Sequence, residues 1–154
     1  MDVRVQEADF DVSEELRAVQ TGNRGIGAVV NFVGLVRDHN DNRGVGTMTL
    51  EHYPGMTERA IESIVREAAE RWHVQGATVI HRVGELSPGE QIVLVVIASG
   101  HRGDAFLACE FVMDFLKMRA PFWKKEVTTE GEHWVAFRAS DESAAKRWEK
   151  PVDA

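Results

Sequence analysis

The sequence predicts an α+β domain with a mixed, largely antiparallel sheet, and three observations predict it. Apolar residues recur at three- and four-residue steps at Ile61, Ile64, Val65, Ala68 and Trp72, and again from Ala105 to Leu116, which is the spacing of a buried helix face. The run Glu90 to Ala98 is apolar at both alternating positions, which predicts a central strand covered on both faces. Ser87-Pro88-Gly89 separates it from the strand-like run Ala77 to Leu86, so the two form an antiparallel pair around a tight turn.

In chain order, Asp11 or Ser13 caps a short helix that runs to Gln20, and the Gly-rich stretch Thr21 to Gly27 turns it into a strand, Ala28 to Arg37. The polar loop Asp38 to Gly46 has almost nothing to bury and is expected to be mobile. Thr47 to Tyr53 resumes a strand, and Pro54-Gly55 starts the helix that carries Ile61 to Trp72. His81 and Arg82 are expected as a half-exposed cross-strand pair in the next strand. After the central strand comes the Ala105 to Leu116 helix, stopped by Pro121, which lacks the N–H a helix needs. Trp123 to Val127 and Trp134 to Arg138 flank Thr-Thr-Glu-Gly-Glu-His as a second hairpin. Ser140, with Asp141 and Glu142 behind it, caps a last helix carrying Ala144, Ala145 and Trp148.

At 154 residues the chain fits one domain, 1–154, large enough to bury a core without staples. Eighteen Lys and Arg against 25 Asp and Glu give a net charge of −7, which argues against broad nucleic-acid binding, since phosphate-backbone affinity comes from cations. No apolar stretch approaches the roughly 18 residues needed to span a bilayer, and the acidic N-terminus lacks a signal-like run, so the expectation is a cytoplasmic protein without a membrane partner. Cys109 is the only cysteine, so no intrachain disulfide or Cys-based zinc site can form. It falls on the apolar helix beside Phe106 and Met113, and reads as a small buried hydrophobe. The six histidines show no metal-ligand spacing, and neither metal nor cofactor is expected.

Against this acidic background the segment Phe115 to Glu126 holds Lys117, Arg119, Lys124 and Lys125 beside Phe122 and Trp123, a local reversal of sign that suits an anion. Lys117 and Arg119 fall in the last turn of the helix, where the macrodipole also favours cations, so complementing the dipole is the competing explanation. A second cluster, Ser99-Gly-His101-Arg102-Gly103, sits where the central strand ends and the helix begins; free N–H groups, the dipole and the glycines all favour a phosphate there. Caps on neighbouring carbonyls would explain the same residues. Arg37 and Arg138 end strands and are candidate pocket cations or surface ion-pair partners. His52 and Tyr53, beside Pro54-Gly55, could touch a bound ligand, although strand-end aromatics more often pack; Trp72, Trp123, Trp134 and Trp148 read as core or interface residues, and Glu62, Glu67 and Glu70 as a solvated helix face.

Five motifs in order, Gly27 to Asn40, Leu50 to Glu58, Val79 to Leu86, Gly100-His-Arg102 and Lys117-Met-Arg-Ala-Pro-Phe-Trp-Lys-Lys-Glu126, resemble the large, catalytic subunit of molybdopterin synthase over about 27–148. The resemblance implies an α/β hammerhead region with an antiparallel β subdomain. It also implies a sulfurtransferase of molybdenum cofactor biosynthesis, converting cyclic pyranopterin monophosphate into dithiolene-bearing molybdopterin. The sulfur would come from a small ubiquitin-like partner with a C-terminal Gly-Gly thiocarboxylate, within a heterotetramer built on a homodimer of large subunits.

Position by position, Lys117 and Lys124 match the family's active-site lysines, and Arg37, His101 and Arg102 its substrate-anion contacts. Leu35, Val36, Lys125 and Glu126 lie in matching pocket segments, and Arg138 matches a basic residue supplied by the neighbouring large subunit. Leu35 stands where the family pattern carries a lysine, which removes one cation from the rim. Two other classes stay compatible with the residues alone: a phosphoester hydrolase using His101, and a non-catalytic module that grips an acidic C-terminal tail. A homodimer is also expected from the large apolar side chains of the C-terminal hairpin and helix.

Overall fold

In the computed structural model, the backbone of residues 1–40, 43–128, 131–134 and 139–149 is described, with side chains described outside 39–45 and 126–142. Strand β1 (Asp2–Gln6) leads into α1 (Val12–Gln20), whose N-cap Asp11 accepts the Glu14 N–H at 3.0 Å. β2 (Ala28–Leu35), β3 (His39–Asn40) and β4 (Arg43–His52) follow, then α2 (Met56–Arg71), β5 (Val74–Arg82), β6 (Gly84–Leu86), β7 (Gln91–Ser99), α3 (Arg102–Arg119), the hairpin β8 (Phe122–Thr128) and β9 (Gly131–Trp134), and α4 (Ala139–Lys146). The α+β expectation holds, in two sheets.

The first sheet has the order β1-β5-β7-β2, with β1 parallel to β5 and the other pairs antiparallel. Alternation along β7 divides its side chains between two layers. Leu94 and Val96, with Ile80 of β5 and Phe10, face α1 through Val12, Leu16 and Val19. Val93, Val95 and Ile97 face the main core with Ile61, Ile64, Val65 and Ala68 of α2 and Phe111, Val112 and Phe115 of α3. Ile92 to Ser99 are all buried, as a strand apolar at every position requires. Ile61, Val65 and Ala68 are fully buried, so the three- and four-residue spacing of α2 located its inner face correctly.

The second sheet is antiparallel, β3-β4-β8-β9, with β6 beside β4. It corrects two expectations. The polar stretch 38–46 is largely strand: β3 pairs with β4, which begins at Arg43 and not at Thr47. Ala77 to Leu86 is not one strand either. It breaks at Val83, Gly84 takes φ +88°, and β6 leaves the first sheet to pair with Met48 to Leu50 of β4. β5 and β7 are antiparallel neighbours as expected, with His81 opposite Val93, but the Ser87-Pro88-Gly89 turn joins β6 to β7. There Gly89 has φ +90° and Glu90 N–H donates to Ser87 O at 3.1 Å, a turn that needs glycine at its third position.

His81 is half-buried as expected, but Arg82 is not its half-exposed partner. Arg82 is 7% exposed, and its guanidinium donates to Glu7 O at 3.0 and 3.1 Å and to Gln91 O at 2.9 Å, satisfying carbonyls at the edges of β1 and β7. The C-terminal hairpin is tighter than expected, with β9 starting at Gly131, and α4 starts at Ala139, one residue before the expected cap. Trp148 is packed edge-on against Trp72 and Phe111, and its indole N–H donates to Asp114 at 2.5 Å, so it is not a surface aromatic. The large apolar side chains that are exposed, among the described residues, include Phe32 and Leu35 of β2, Tyr53, Met56, and Phe106 and Leu107 of α3. The side chain of Trp134 and all of Arg138 lie outside the described residues. No described helix is long and apolar enough to cross a membrane.

Candidate active site

Two ends of one helix carry the two cation clusters. α3 starts three residues after β7 ends and packs on β7 and β2, so it runs back over the sheet. His101 and Arg102 therefore stand at the Ser99 end of the sheet, and Lys117 stands at the Gln91 end. The fifteen residues from Arg102 to Lys117 span about 22 Å at 1.5 Å per residue. Within one chain these groups cannot contact one small anion.

The Lys117 end is assembled from three elements. Lys117 lies in the last turn of α3, Ala120 leaves the helix in extended conformation, and β8 starts two residues later. On β8, Phe122 and Lys124 point to the same face, opposite His52 and Leu50 of β4. From the first sheet, His81 stacks on the Phe122 ring with centroids 3.9 Å apart and planes 23° from parallel. Lys124 and Lys117 both act electrostatically on the His81 ring, which puts the two lysines within range of it. His52 Nε2 lies 3.8 Å from Glu58 Oε1 of α2.

His81 has a defined tautomer. Its Nδ1 is 2.9 Å from Arg82 O, and a carbonyl only accepts, so Nδ1 carries the hydrogen and Nε2 keeps the lone pair. Desolvation, the largest cause, lowers its pKa to about 4; the hydrogen bond to the Arg82 carbonyl opposes it, and the positive charges of Lys124 and Lys117 add to the lowering. The ring is neutral at physiological pH. The sign of the linkage follows: unfolded His81 binds a proton near pH 6.5 and folded His81 does not, so stability is lost as pH falls from about 6.5 towards 4. One such proton contributes at most ~1.4 kcal/mol per pH unit. Urea unfolding at pH 6.5, 5.5 and 4.5 should show this decline, and His81→Phe should flatten it; an unchanged slope in the variant would assign the acid sensitivity elsewhere.

The remaining expected residues divide between places. Leu35 is 55% exposed and Val36 is 6% exposed, held to the β6–β7 turn by Val36 N–H to Glu90 O at 2.9 Å and Gly89 N–H to Val36 O at 2.8 Å. Arg37, exposed beyond them, shares the Gln91 end of the first sheet with Lys117 and Lys124. Lys125 is opposite Thr49 and Trp134, on the other face of β8 from Lys124, so the structure does not bring these neighbours together. Glu126 follows at a Lys124-side register position, opposite Met48. The β4–β8 register also draws in His52, which the sequence suggests mainly as a packing residue, and Phe122 of the cationic segment.

At the other end, His101 and Arg102 are exposed, and His101 is the N-cap residue of α3 without a side-chain hydrogen bond in the cap. The capping alternative for His101 therefore loses its main support. The turn is seated by Gly27, whose N–H donates to Ser99 O at 2.9 Å. A Cβ on Gly27 would lie 2.3 Å from Gly100 O, so only glycine fits that approach. A Cβ on Gly103 would meet nothing within 4 Å. Cys109 is buried, and desolvation pushes its thiol up to about 11, so it is neither exposed nor a thiolate at neutral pH. Phe106, expected beside it, faces solvent at 61% exposure. Among the described residues no group of three or more His, Cys, Asp or Glu could hold a metal ion.

Residues 5–119 match the family model described as MoaE protein. A molybdopterin synthase catalytic subunit of Ralstonia nicotianae is 60% identical over 95% of this chain and 83% of its own length. Another, of Pseudomonas aeruginosa, is 59% identical over 97% of this chain and its full length. These alignments extend the likeness well beyond 27–148 at the N-terminal side. A solved molybdopterin biosynthesis MoaE protein of Burkholderia ambifaria superimposes with a TM-score of 0.83 at 52% identity, covering 96% of this chain and 97% of that one. By family model, sequence and fold alike, this chain belongs to the MoaE family of molybdopterin synthase catalytic subunits.

Proposed function

We propose that the chain, as one catalytic domain in the cytoplasm, transfers sulfur from the C-terminal thiocarboxylate of a small Gly-Gly-tailed partner to cyclic pyranopterin monophosphate, forming the dithiolene of molybdopterin. What supports this reading is that Lys117, in the last turn of α3, and Lys124, on the β8 face whose Phe122 stacks on His81, both lie within electrostatic range of the neutral His81 ring. Both reactants are anions, and a cationic pocket offsets the repulsion between them. The thiocarboxylate sulfur attacks an oxygen-bearing side-chain carbon of the pterin: the carbon–sulfur bond forms as that carbon–oxygen bond breaks, the oxygen leaves as a phosphate oxygen or, protonated, as water, and the partner's carboxy-terminal acyl group is left joined through sulfur to the substrate; a second carrier repeats the step at the neighbouring carbon. Water then attacks that acyl carbon; the carboxylate leaves with the partner, and sulfur stays on the pterin. Lys117 contacts the thiocarboxylate and moves the proton, and Lys124 stabilises the oxyanion that develops on the acyl oxygen. Arg37, Leu35, Val36 and Glu126 belong to this pocket, and Lys125 to its outer side.

The substrate phosphate is assigned to His101 and Arg102. Since these stand about 22 Å from Lys117 of their own chain, a second copy supplies them, as Arg138 would also be supplied, and the homodimer is part of the catalytic unit. Reconstitution tests the reading: product forms only with precursor and thiocarboxylated partner together. Phosphate release without the partner, or tail binding without turnover, would replace it by a hydrolase or a docking module. Arg102→Ala and His101→Ala should each weaken precursor binding about ten- to a hundredfold, the effect of one charge-assisted hydrogen bond. Calorimetric titration with the precursor measures this, and an affinity unchanged in both variants would move the phosphate elsewhere.

A further inference from the structure

The segment from Lys117 to Lys124 changes direction at Ala120-Pro121-Phe122, where Phe122 N–H folds back onto Ala120 O at 3.0 Å. The carbonyl between them, that of Pro121, is held from outside the segment. Thr57, in the first turn of α2 and 0% exposed, donates its hydroxyl to Pro121 O at 3.1 Å and accepts the Tyr53 N–H at 3.1 Å. Its own N–H donates to Tyr53 O at 2.9 Å. One buried hydroxyl thus ties the β4–α2 corner to the α3–β8 corner, across 64 residues of sequence.

We propose that Thr57 is a positioning residue for sulfur transfer, whose hydroxyl fixes the corner that sets Lys124 relative to Lys117. The inference rests on the reading of those two lysines given above. Three features carry it. Phe122, the first residue after the corner, stacks on His81, so a shift of the Pro121 peptide moves the ring on which the site is built. Lys124 is two residues further along the same face of β8. Between Arg119 and the β4 ladder the backbone is held by the Phe122 to Ala120 bond within the segment and by the Thr57 bond from outside it, so the Thr57 bond is the tie from α2 that orients it. The hydroxyl touches neither substrate, so its effect must pass through geometry; a misplacement of about 1 Å can cost a hundredfold in rate.

Thr57→Val keeps shape and removes both hydrogen bonds. In the reconstituted reaction its kcat should fall about tenfold or more while KM for the precursor and for the partner stays within about twofold. Thr57→Ser should return kcat to within about threefold of wild type, because the hydroxyl is restored. Ile64→Val, another buried α2 residue away from the corner, is the control for lost stability. A wild-type kcat in Thr57→Val, or an equal kcat loss in Ile64→Val at matched thermal shift, would overturn the inference. If Thr57→Val does not fold, Thr57→Ala is judged by the same criterion. Lys117→Ala is run alongside: full activity there would overturn the reading of the site, whereas an inactive Lys117→Ala beside a fully active Thr57→Val overturns only the role of Thr57.

Discussion

Lys117→Ala protein should fold, bind the small partner and yet make almost no molybdopterin, with turnover reduced about 10²- to 10⁴-fold, the usual loss when a positioned proton-transfer group is removed. Lys117 is exposed in the last turn of α3, and its neighbours Phe115 and Leu116 carry the packing there. Its truncation should therefore change stability by no more than about 0.5 kcal/mol. The only offset is a small one, the loss of a cation that complements the helix dipole. Single-turnover measurement with saturating thiocarboxylated partner separates chemistry from binding. A rate near wild type would remove Lys117 from the reaction, and a variant that fails to bind the partner would recast it as a docking residue.

A second large effect should come from mixing two inactive proteins. Lys117→Ala and Arg102→Ala disable opposite ends of α3, so a mixed dimer would carry one site with both defects and one with none. Statistical exchange then returns about a quarter of wild-type activity, since half the dimers are mixed and each has one intact site. Measured with precursor well below saturation, this is a gain of about 2.5- to 25-fold over Arg102→Ala, whose rate there falls with its ten- to a hundredfold weaker binding, and of more than tenfold over Lys117→Ala. Subunit exchange has to be shown independently with differently tagged chains. If exchange is complete and activity stays at the parental level, each site is built from one chain, and His101 and Arg102 serve something other than the reaction at Lys117.

Helices were the most legible part of the sequence because their signal is local. The inward stripe of α2 is readable from Ile61 to Ala68, and the end of α3 from Pro121, without knowing what either packs against. Strand partners are non-local, and there the reading failed. Arg43 to Gly46 is polar and glycine-rich, yet it extends β4 because β3 and β8 offer it hydrogen-bonding edges. Nothing before Gly84 announces that the chain will leave one sheet for the other. Arg82 read as half-exposed because its burial is made possible by the carbonyls of Glu7 and Gln91, 75 and nine positions away.

The candidate site shows the same division. Lys117, Lys124, His101 and Arg102 were readable as charged groups on helix and strand ends, and the resemblance grouped them. Their separation along one helix was readable too, because fifteen helical residues have a definite length of about 22 Å. His81 and Thr57 were not, since their roles depend on Phe122 and Pro121, which reach them from distant parts of the chain.

Cys109 is the one thiol in the chain, and α3 keeps it inside the core and protonated. A thiocarboxylate is an acyl donor as well as a sulfur donor, and an accessible thiolate beside it would divert the acyl group into a thioester or, under oxidation, join it as an acyl disulfide. Either product would strand the carrier protein on the enzyme. With its single sulfhydryl withdrawn, this subunit offers the activated tail no thiol acceptor, and neither a thioester nor an acyl disulfide can form on its own surface.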